Sequence, residues 1–279
     1  MHISGHTKPF AVLGHPIGHT LSPVMHNASL QALGWDAIYL AFDVKPEHLL
    51  LVLSSMKDMG FRGVNLTIPH KEVAFKGLTE LDDSARLLGS VNTVQFTETG
   101  MVGHNTDGFG FLKAMDEAFG SNVSGASLFV LGTGGAGRAV ALTSARAGAT
   151  KIMLQDLDKH RTENVAAEIR KQFPSVAVTV GGDSREADVI VQCTPLGMKM
   201  TDSSPLTPES FRAGQRAFDL VYMYPETAFM AAAKAGGAKA ANGLGMLLHQ
   251  GARAFAIWTG VEPRVDEMRK ALEQAVYKV

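Results

Sequence analysis

The chain has 279 residues, 46% of them hydrophobic and 19% charged, with a formal net charge of −1 at pH 7. This length predicts two domains with ample core, and the balanced charge gives no reason to expect a nucleic acid or an anionic membrane as partner. The single Cys193 excludes an internal disulfide and a cysteine-based metal cluster, and the lack of a signal segment or membrane-length apolar run predicts a cytoplasmic protein.

The first part of the chain alternates short apolar runs with segments that carry helix start and stop signals. Ser22 followed by Pro23 predicts a helix with Ser22 at its N-cap, and Gly34 closes that helix. Strands are predicted over residues 10–13, 37–42, 63–67 and 91–96, with further helical segments over 46–59 and from residue 70. Strands that alternate with helices predict a largely parallel sheet covered on both faces.

A helix over residues 108–119 leads into a second series of strands and helices. Strands are predicted over residues 127–131, 151–155, 176–180, 189–192, 217–221 and 239–241, and the last helices over about 245–258 and 263–277. This number of strands, with helices between most of them, is typical of a doubly wound (Rossmann) dinucleotide-binding fold.

The turn after the strand at 127–131 is rich in glycine and enters a helix. Such a turn presents free backbone N–H groups and the positive end of a helix dipole, which suits a phosphate. Asp156 ends the next strand, 156 − 137 = 19 residues past the last glycine, where a carboxylate can accept ribose hydroxyls. This order favours a dinucleotide site over a purely structural turn. The predicted cofactor-binding residues are Gly132, Gly134, Gly135, Ala136, Gly137 and Asp156.

Polar side chains gather where the strands of the first domain end, and ligands bind at that end of parallel sheets. The group comprises Thr20, Ser22, Asn65, Thr67, Lys71, Asn92 and Asp107. A partly buried amine, or a carboxylate beside it, can take the proton of a substrate hydroxyl as hydride leaves, so Lys71 and Asp107 are the candidate catalytic pair. The alternatives stay open, because a lone lysine is usually a solvated surface residue and Asn-Thr-Asp-Gly is ordinarily a turn or cap.

Three histidines near the start, His15, His19 and His26, have neither a nearby cysteine nor the spacing of a helical metal-binding pair. No metal site is therefore predicted. From spacing alone, the sequence indicates a dinucleotide-dependent enzyme with a polar ligand.

Taken together, the motifs resemble those of shikimate dehydrogenase and its quinate-using relatives. They follow one another in order over nearly the whole chain. The segments are His15-Pro-Ile-Gly-His-Thr-Leu-Ser-Pro-Val-Met-His-Asn27, Asn65-Leu-Thr-Ile-Pro-His-Lys71, Ser90-Val-Asn-Thr93, Gly103-His-Asn-Thr-Asp-Gly108, Gly132-Thr-Gly-Gly-Ala-Gly137, Cys193-Thr-Pro-Leu-Gly-Met198, Asp219-Leu-Val-Tyr222 and Asn242-Gly-Leu-Gly-Met-Leu-Leu-His-Gln250.

The resemblance implies an α/β protein of two domains. A discontinuous substrate domain with a mixed, mostly parallel sheet would comprise residues 1–107 plus about 246–279, and a Rossmann dinucleotide-binding domain residues 108–245. Thr20 and Ser22 would bind the substrate carboxylate, and Lys71 and Asp107 would act at the oxidised hydroxyl. Further implied substrate contacts are Asn65, Thr67, Asn92, Tyr222 and Gln250, and further cofactor contacts are Thr194, Pro195, Leu196, Val221, Gly243 and Met246.

The implied activity is the reversible NAD(P)-dependent oxidation of shikimate to 3-dehydroshikimate, with quinate as a further candidate substrate. A dedicated quinate dehydrogenase and a non-catalytic dinucleotide-binding regulatory module are the alternatives, and the chain would act on a small molecule as a monomer or homodimer. Biosynthetic relatives carry Asn-Arg-Thr where this chain has Asp156-Leu157-Asp158. Asp156 can accept both ribose hydroxyls of NAD and would repel a 2′-phosphate, so NAD is the predicted preferred cofactor and NADP the alternative.

Overall fold

The computed structural model describes residues 3–278, which divide into two compact units. The first unit comprises residues 3–110 and 248–278, and the second comprises Phe111–Leu247. Each unit has its own sheet. Within the described residues, every helix is too short or too polar to cross a bilayer.

The first unit contains a mixed six-stranded sheet in the order β2-β1-β3-β5-β6-β4. Its strands are β1 (Lys8–Gly14), β2 (Ala37–Asp43), β3 (Gly63–Leu66), β4 (Glu80–Leu81), β5 (Thr93–Phe96) and β6 (Met101–His104). β2, β1 and β3 run parallel, β5 is antiparallel to both of its neighbours, and β4 runs parallel to β6. This arrangement confirms the predicted mixed, mostly parallel sheet.

Two strands of this sheet have no counterpart among the predicted elements. β4 has only two residues, too few for an alternating pattern to show. β6 pairs with β5 through a tight turn, in which the Thr97 N–H donates to the Gly100 carbonyl at 3.0 Å. Because the turn lacks a Gly or Pro at its centre, the sequence alone did not separate the two strands.

Helices cover this sheet and carry several candidate site residues. They are α1 (Ser22–Ala32), α2 (Leu49–Asp58), α3 (His70–Gly77), α4 (Asp83–Leu88) and α10 (Val265–Tyr277), with the start of α5 (Asp107–Phe119) and most of α9 (Leu244–Thr259). The predicted N-cap role of Ser22 is wrong, because Leu21 is the N-cap and no side chain caps α1. The Ser22 hydroxyl is therefore available for other partners.

The second unit has a fully parallel sheet in the order β12-β11-β10-β7-β8-β9. Its strands are β7 (Ser127–Leu131), β8 (Lys151–Gln155), β9 (Ala177–Val180), β10 (Val189–Gln192), β11 (Arg216–Asp219) and β12 (Lys239–Asn242), and its complete helices are α6 (Gly135–Arg146), α7 (Lys159–Gln172) and α8 (Ala228–Ala235). The chain winds outwards from β7 in both directions, which confirms the doubly wound fold. β11 ends two residues before the predicted limit, because the Asp219 carboxylate accepts the Val221 N–H and turns the chain.

Candidate active site

Lys71 and Asp107, the predicted catalytic pair, are in direct contact. Lys71 lies in the first turn of α3 and donates from Nζ to Asp107 Oδ2 at 2.7 Å. Asp107 is the first residue of α5, where the helix dipole favours a negative charge. Both side chains are partly exposed, at 29% for Lys71 and 18% for Asp107, so the pair can reach a ligand without being fully solvated.

Asn92 lies beside this pair and organises the polar residues around it. Its amide nitrogen donates to Asp107 Oδ1 at 2.8 Å and lies 3.4 Å from Gln250 Oε1 on α9. Its amide oxygen accepts the Thr106 N–H at 2.9 Å and the Thr93 hydroxyl at 2.8 Å, which fixes its orientation. The structure thus brings together four of the predicted residues, Lys71, Asn92, Asp107 and Gln250.

Tyr39 joins this cluster to the two hydroxyls predicted to bind a carboxylate. Its hydroxyl donates to Asn65 Oδ1 at 2.7 Å and lies near the Ser22 hydroxyl, which accepts from Thr20 Oγ1 at 3.3 Å. Asn65 in turn donates to the Asn92 carbonyl at 3.1 Å. Hydrogen bonds therefore connect Tyr39 through Asn65, Thr93 and Asn92 to Asp107.

No sequence pattern pointed to Tyr39, because an aromatic residue inside an apolar strand is normally part of the core. Tyr39 is 1% exposed, and burial raises the pKa of its hydroxyl well above the usual range. The ring of His26 stacks on it at a centroid distance of 4.2 Å, and burial lowers the pKa of His26 to about 3. Tyr39 is therefore a neutral hydrogen-bond relay held by a neutral imidazole.

We expect Tyr39→Phe to lower the free energy of unfolding by about 1–3 kcal/mol, because it leaves the buried Asn65 Oδ1 unpaired. If the relay also orients Ser22, KM for the acid substrate should rise while KM for the dinucleotide stays unchanged. Urea unfolding and steady-state kinetics would measure both effects. The matched control is Tyr224→Phe, because Tyr224 lies in the second unit and donates only a 3.4 Å bond at the surface. Equal effects of both variants would contradict a special role for Tyr39.

Thr67, predicted to contact the substrate, lies just past β3. Its N–H donates to the Leu13 carbonyl at 3.0 Å, and its methyl group packs over Gly14, where an added Cβ would come within 2.6 Å. Gly14 thus lets the ends of β1 and β3 approach closely. Tyr222, predicted with the same group, belongs to the second unit, where burial raises the pKa of its hydroxyl.

The glycine turn of the second unit has the shape of an anion cradle. Gly132 has φ +95, and an added Cβ at Gly137 would collide with the Gly132 carbonyl oxygen. A Cβ built on Gly134 or Gly135 meets no atom within 4 Å, so space is open beside the turn. No side chain caps the N-terminus of the 12-residue helix α6, which leaves its backbone N–H groups free for an anion.

Further predicted cofactor residues of this unit lie on the segments that follow β10, β11 and β12. Thr194 packs against Gly132, since a Cβ there would contact the Thr194 backbone nitrogen at 3.0 Å. Buried Gln192 holds this loop by donating to the Leu196 carbonyl at 2.8 Å. Val221 accepts the Gly243 N–H at 3.3 Å. The structure thus groups Thr194, Pro195 and Leu196 with the glycine turn and Val221 with Gly243, while Met246 lies in the first turn of α9.

Asp156 is tied to the glycine turn by its carboxylate. It accepts the Thr133 N–H at 2.6 Å and the Arg161 guanidinium at 2.9 and 3.0 Å. Burial raises the pKa of Asp156, but the hydrogen bonds from Thr133, Asp158 and Arg161 outweigh it and bring the pKa to about 2. Arg161 comes after the end of β8 in sequence, but it lies in the first turn of α7, from which its side chain reaches the Asp156 carboxylate.

Comparison with known proteins identifies the family of this chain. Residues 12–94 match the family model of the shikimate dehydrogenase substrate binding domain, and residues 243–273 match that of the shikimate 5'-dehydrogenase C-terminal domain. A shikimate dehydrogenase (NADP(+)) of Moorella thermoacetica is 42% identical over 282 aligned residues, covering 98% of this chain and 95% of that protein. The chain belongs to the shikimate dehydrogenase family.

Solved structures of the shikimate dehydrogenase family have the same fold. A crystal structure of a shikimate dehydrogenase in complex with NADP+ has a TM-score of 0.92 and 37% identity, covering 99% of this chain and 98% of that one. The Listeria monocytogenes shikimate 5-dehydrogenase in complex with shikimate and NAD has a TM-score of 0.90 and 32% identity, covering 98% of each chain. The comparisons confirm the predicted class, a dehydrogenase that acts on a secondary alcohol.

Proposed function

We propose that this protein catalyses the reversible oxidation of shikimate to 3-dehydroshikimate, with NAD as the preferred dinucleotide and with Lys71 and Asp107 as the catalytic pair. The observation that carries the proposal is the 2.7 Å contact between the Lys71 ammonium and the Asp107 carboxylate, braced by Asn92. An isolated surface lysine would need no such bracing. A regulatory module that only binds a dinucleotide does not need a pair of groups that can transfer a proton.

A nicotinamide dinucleotide fits the residues of the second unit. The open space beside Gly134 and Gly135 and the uncapped N-terminus of α6 suit a pyrophosphate, and the Asp156 carboxylate suits a ribose. Thr194, Leu196, Val221 and Gly243 would hold the rest of the dinucleotide. When bound, it supplies the hydride acceptor for the carbinol carbon.

The hydroxyl that loses hydride must also lose a proton, and we assign that proton to Lys71. In oxidation the neutral amine takes it, and in reduction the ammonium returns it to the carbonyl oxygen. Asp107 holds Lys71 Nζ in one position and can accept a hydrogen bond from a neighbouring ring hydroxyl. Asn92 and Gln250 supply further amide groups for the ring hydroxyls.

The carboxylate of the substrate is assigned to Thr20 and Ser22. Ser22 is 8% exposed and begins α1, so its hydroxyl and the positive end of that helix dipole act together on an anion. The Ser22 hydroxyl lies near the Tyr39 hydroxyl, to which it can donate. A carboxylate is a stronger acceptor than a phenol oxygen, so the proton would turn to the substrate.

NAD is proposed over NADP because Asp156 is ionised at neutral pH and its guanidinium partner is already engaged. A 2′-phosphate placed beside Asp156 would meet a fixed negative charge. Arg161 lies between Asp156 and Asp158, at 2.9 and 3.9 Å, and would have to leave both carboxylates to bind the phosphate. The Moorella thermoacetica relative is named for NADP(+), so the proposed preference for NAD rests on Asp156 of this chain.

A matrix of initial rates, with shikimate and quinate against NAD and NADP, tests the proposal. We expect the highest kcat/KM for shikimate with NAD. Quinate carries an extra hydroxyl on the carbon that bears the carboxylate, beside Thr20, so Thr20→Ser should change the shikimate-to-quinate ratio more than either cofactor ratio. A dedicated quinate dehydrogenase would show negligible rates with shikimate, and a regulatory module would show none with either acid.

A further inference from the structure

A cavity of about 540 Å³ opens in the first unit away from the catalytic pair. It lies where β1 and β2 begin, next to the residue that precedes β3, and the last two residues of α9 complete its wall. Lys71 and Asp107 instead follow the opposite ends of the strands. The seven residues of β1 separate the two ends by about 20 Å. The cavity is therefore a separate site, of a volume that suits a small organic ligand.

Aromatic rings form one part of the wall. Trp35 is 37% exposed there, and the Trp258 indole N–H is already donated to the Val94 carbonyl at 2.9 Å, so that ring offers its apolar surface. Phe10 supports Trp258 at a centroid distance of 5.6 Å. Rings that are partly exposed inside a cavity favour an aromatic or other flat apolar group.

Lys8 and Arg62 bring two positive charges to the wall of the cavity. Both are exposed, and among residues 3–278 neither forms a salt bridge. Both are anchored at this end of the sheet, where the Arg62 N–H donates to the Pro9 carbonyl and the Lys8 N–H to the Asp36 carbonyl, each at 2.9 Å. The two cations are suited to bind a carboxylate.

The cavity also contains a negatively charged residue, Asp36, whose backbone carbonyl accepts the Lys8 N–H at 2.9 Å. The Asp36 carboxylate lines it and is held in place by the Thr7 hydroxyl at 2.5 Å and the Ser4 hydroxyl at 3.2 Å. Trp258 and Thr259 end α9, where carbonyl groups and the negative end of the helix dipole attract a cation. An ammonium group is the small cation that would satisfy both.

We propose that this cavity is a second ligand site, which binds an aromatic α-amino acid with its ring against Trp35 and Trp258, its carboxylate on Lys8 and Arg62, and its ammonium group at Asp36. A simple aromatic carboxylate would leave Asp36 without a positively charged partner. A simple aromatic amine would leave Lys8 and Arg62 without a negatively charged partner. The zwitterion alone matches all three parts of the wall.

The protein carries its own reporter for this site, because it has two tryptophans and both line the cavity. Titrating the full chain with L-phenylalanine, which does not absorb at wavelengths selective for tryptophan, should give a saturable fluorescence change. 3-Phenylpropionate and 2-phenylethylamine each lack one charge and should bind roughly tenfold more weakly or worse. Saturating shikimate should not displace L-phenylalanine. No saturable change at millimolar concentrations, or displacement by shikimate, would overturn the proposal.

Variants locate the binding to the cavity. Arg62→Gln should raise the Kd for L-phenylalanine by roughly tenfold, because it removes one charge-assisted hydrogen bond. Arg86→Gln is the matched control, since Arg86 is an exposed arginine of the same unit on α4, outside the cavity, and it should leave the Kd unchanged. Asp36→Asn should weaken L-phenylalanine but not 3-phenylpropionate. Equal Kd values for the Arg62 and Arg86 variants would place the binding elsewhere and refute the site.

Discussion

Replacing Lys71 by alanine is expected to lower kcat by about two to four orders of magnitude, the usual contribution of a positioned proton donor or acceptor. The loss should appear with either dinucleotide, because it concerns the substrate hydroxyl. The Kd for the dinucleotide should stay unchanged, since the glycine turn and Asp156 belong to the second unit. Steady-state rates and calorimetric titration of the dinucleotide would separate the two quantities.

Lys76→Ala is the matched control, because Lys76 lies on the same helix, α3, and is exposed. Its kcat should equal that of the unmodified protein. Lys71→Met keeps the length of the side chain without its amine, and it should resemble Lys71→Ala in kcat. An unchanged kcat in both Lys71 variants would remove this residue from the mechanism and leave the proposed proton path without a donor.

Lys71 could be placed at the carboxyl edge of the sheet because it follows β3, a predicted strand, whereas Asp107 follows β6, which the sequence did not reveal. Chain topology brings the carboxyl ends of parallel strands together whatever the details of packing. The same argument explains why the glycine turn and Asp156 could be paired, since β7 and β8 are parallel neighbours. Contacts of this kind depend only on the order of the strands, which short apolar runs and turn residues indicate.

The roles of Tyr39 and Arg161 could not be predicted in that way. Tyr39 lies in the middle of β2, and nothing in an apolar run shows that its hydroxyl meets Asn65 from another strand. Arg161 reaches Asp156 only because α7 begins right after the strand and its first turn points back. Both contacts depend on side-chain direction, which periodicity does not encode, and the Tyr39–Asn65 contact also joins residues that are 26 positions apart.

Exchanging two residues at the end of β8 is expected to reverse the dinucleotide preference. In the double variant Asp156→Asn/Leu157→Arg, the negative charge of Asp156 is lost and a guanidinium is added at position 157. Leu157 is fully exposed, so the larger arginine side chain fits there. Repulsion between one charge pair at ~4 Å is about 4 kcal/mol at an effective dielectric constant near 20, before screening. The ratio of kcat/KM for NADP to that for NAD should therefore rise by about three orders of magnitude.

The two single variants divide this effect between lost repulsion and gained attraction. Asp156→Asn keeps an acceptor for the Thr133 N–H and should raise the NADP-to-NAD ratio partway, with a small loss in the free energy of unfolding. Leu157→Arg alone should help less, because its guanidinium would be drawn to Asp156 as Arg161 is. Glu163→Gln is the matched control, because Glu163 is an exposed carboxylate of α7 that pairs with Arg170 and not with Arg161, and its ratio should hardly change.

Substitution of Arg161 tests whether the Asp156 carboxylate binds the ribose. The Arg161 guanidinium contacts both Asp156 carboxylate oxygens, so a ribose must displace it or share the carboxylate with it. Arg161→Ala should then strengthen NAD binding or leave it unchanged, because the acceptor is uncovered, while NADP binding weakens. The opposite outcome is that NADP is the better cofactor of the unmodified protein and that Arg161→Ala abolishes this advantage. In that case Arg161 leaves Asp156 to bind the 2′-phosphate, and the role of the Asp156 carboxylate is to position the arginine.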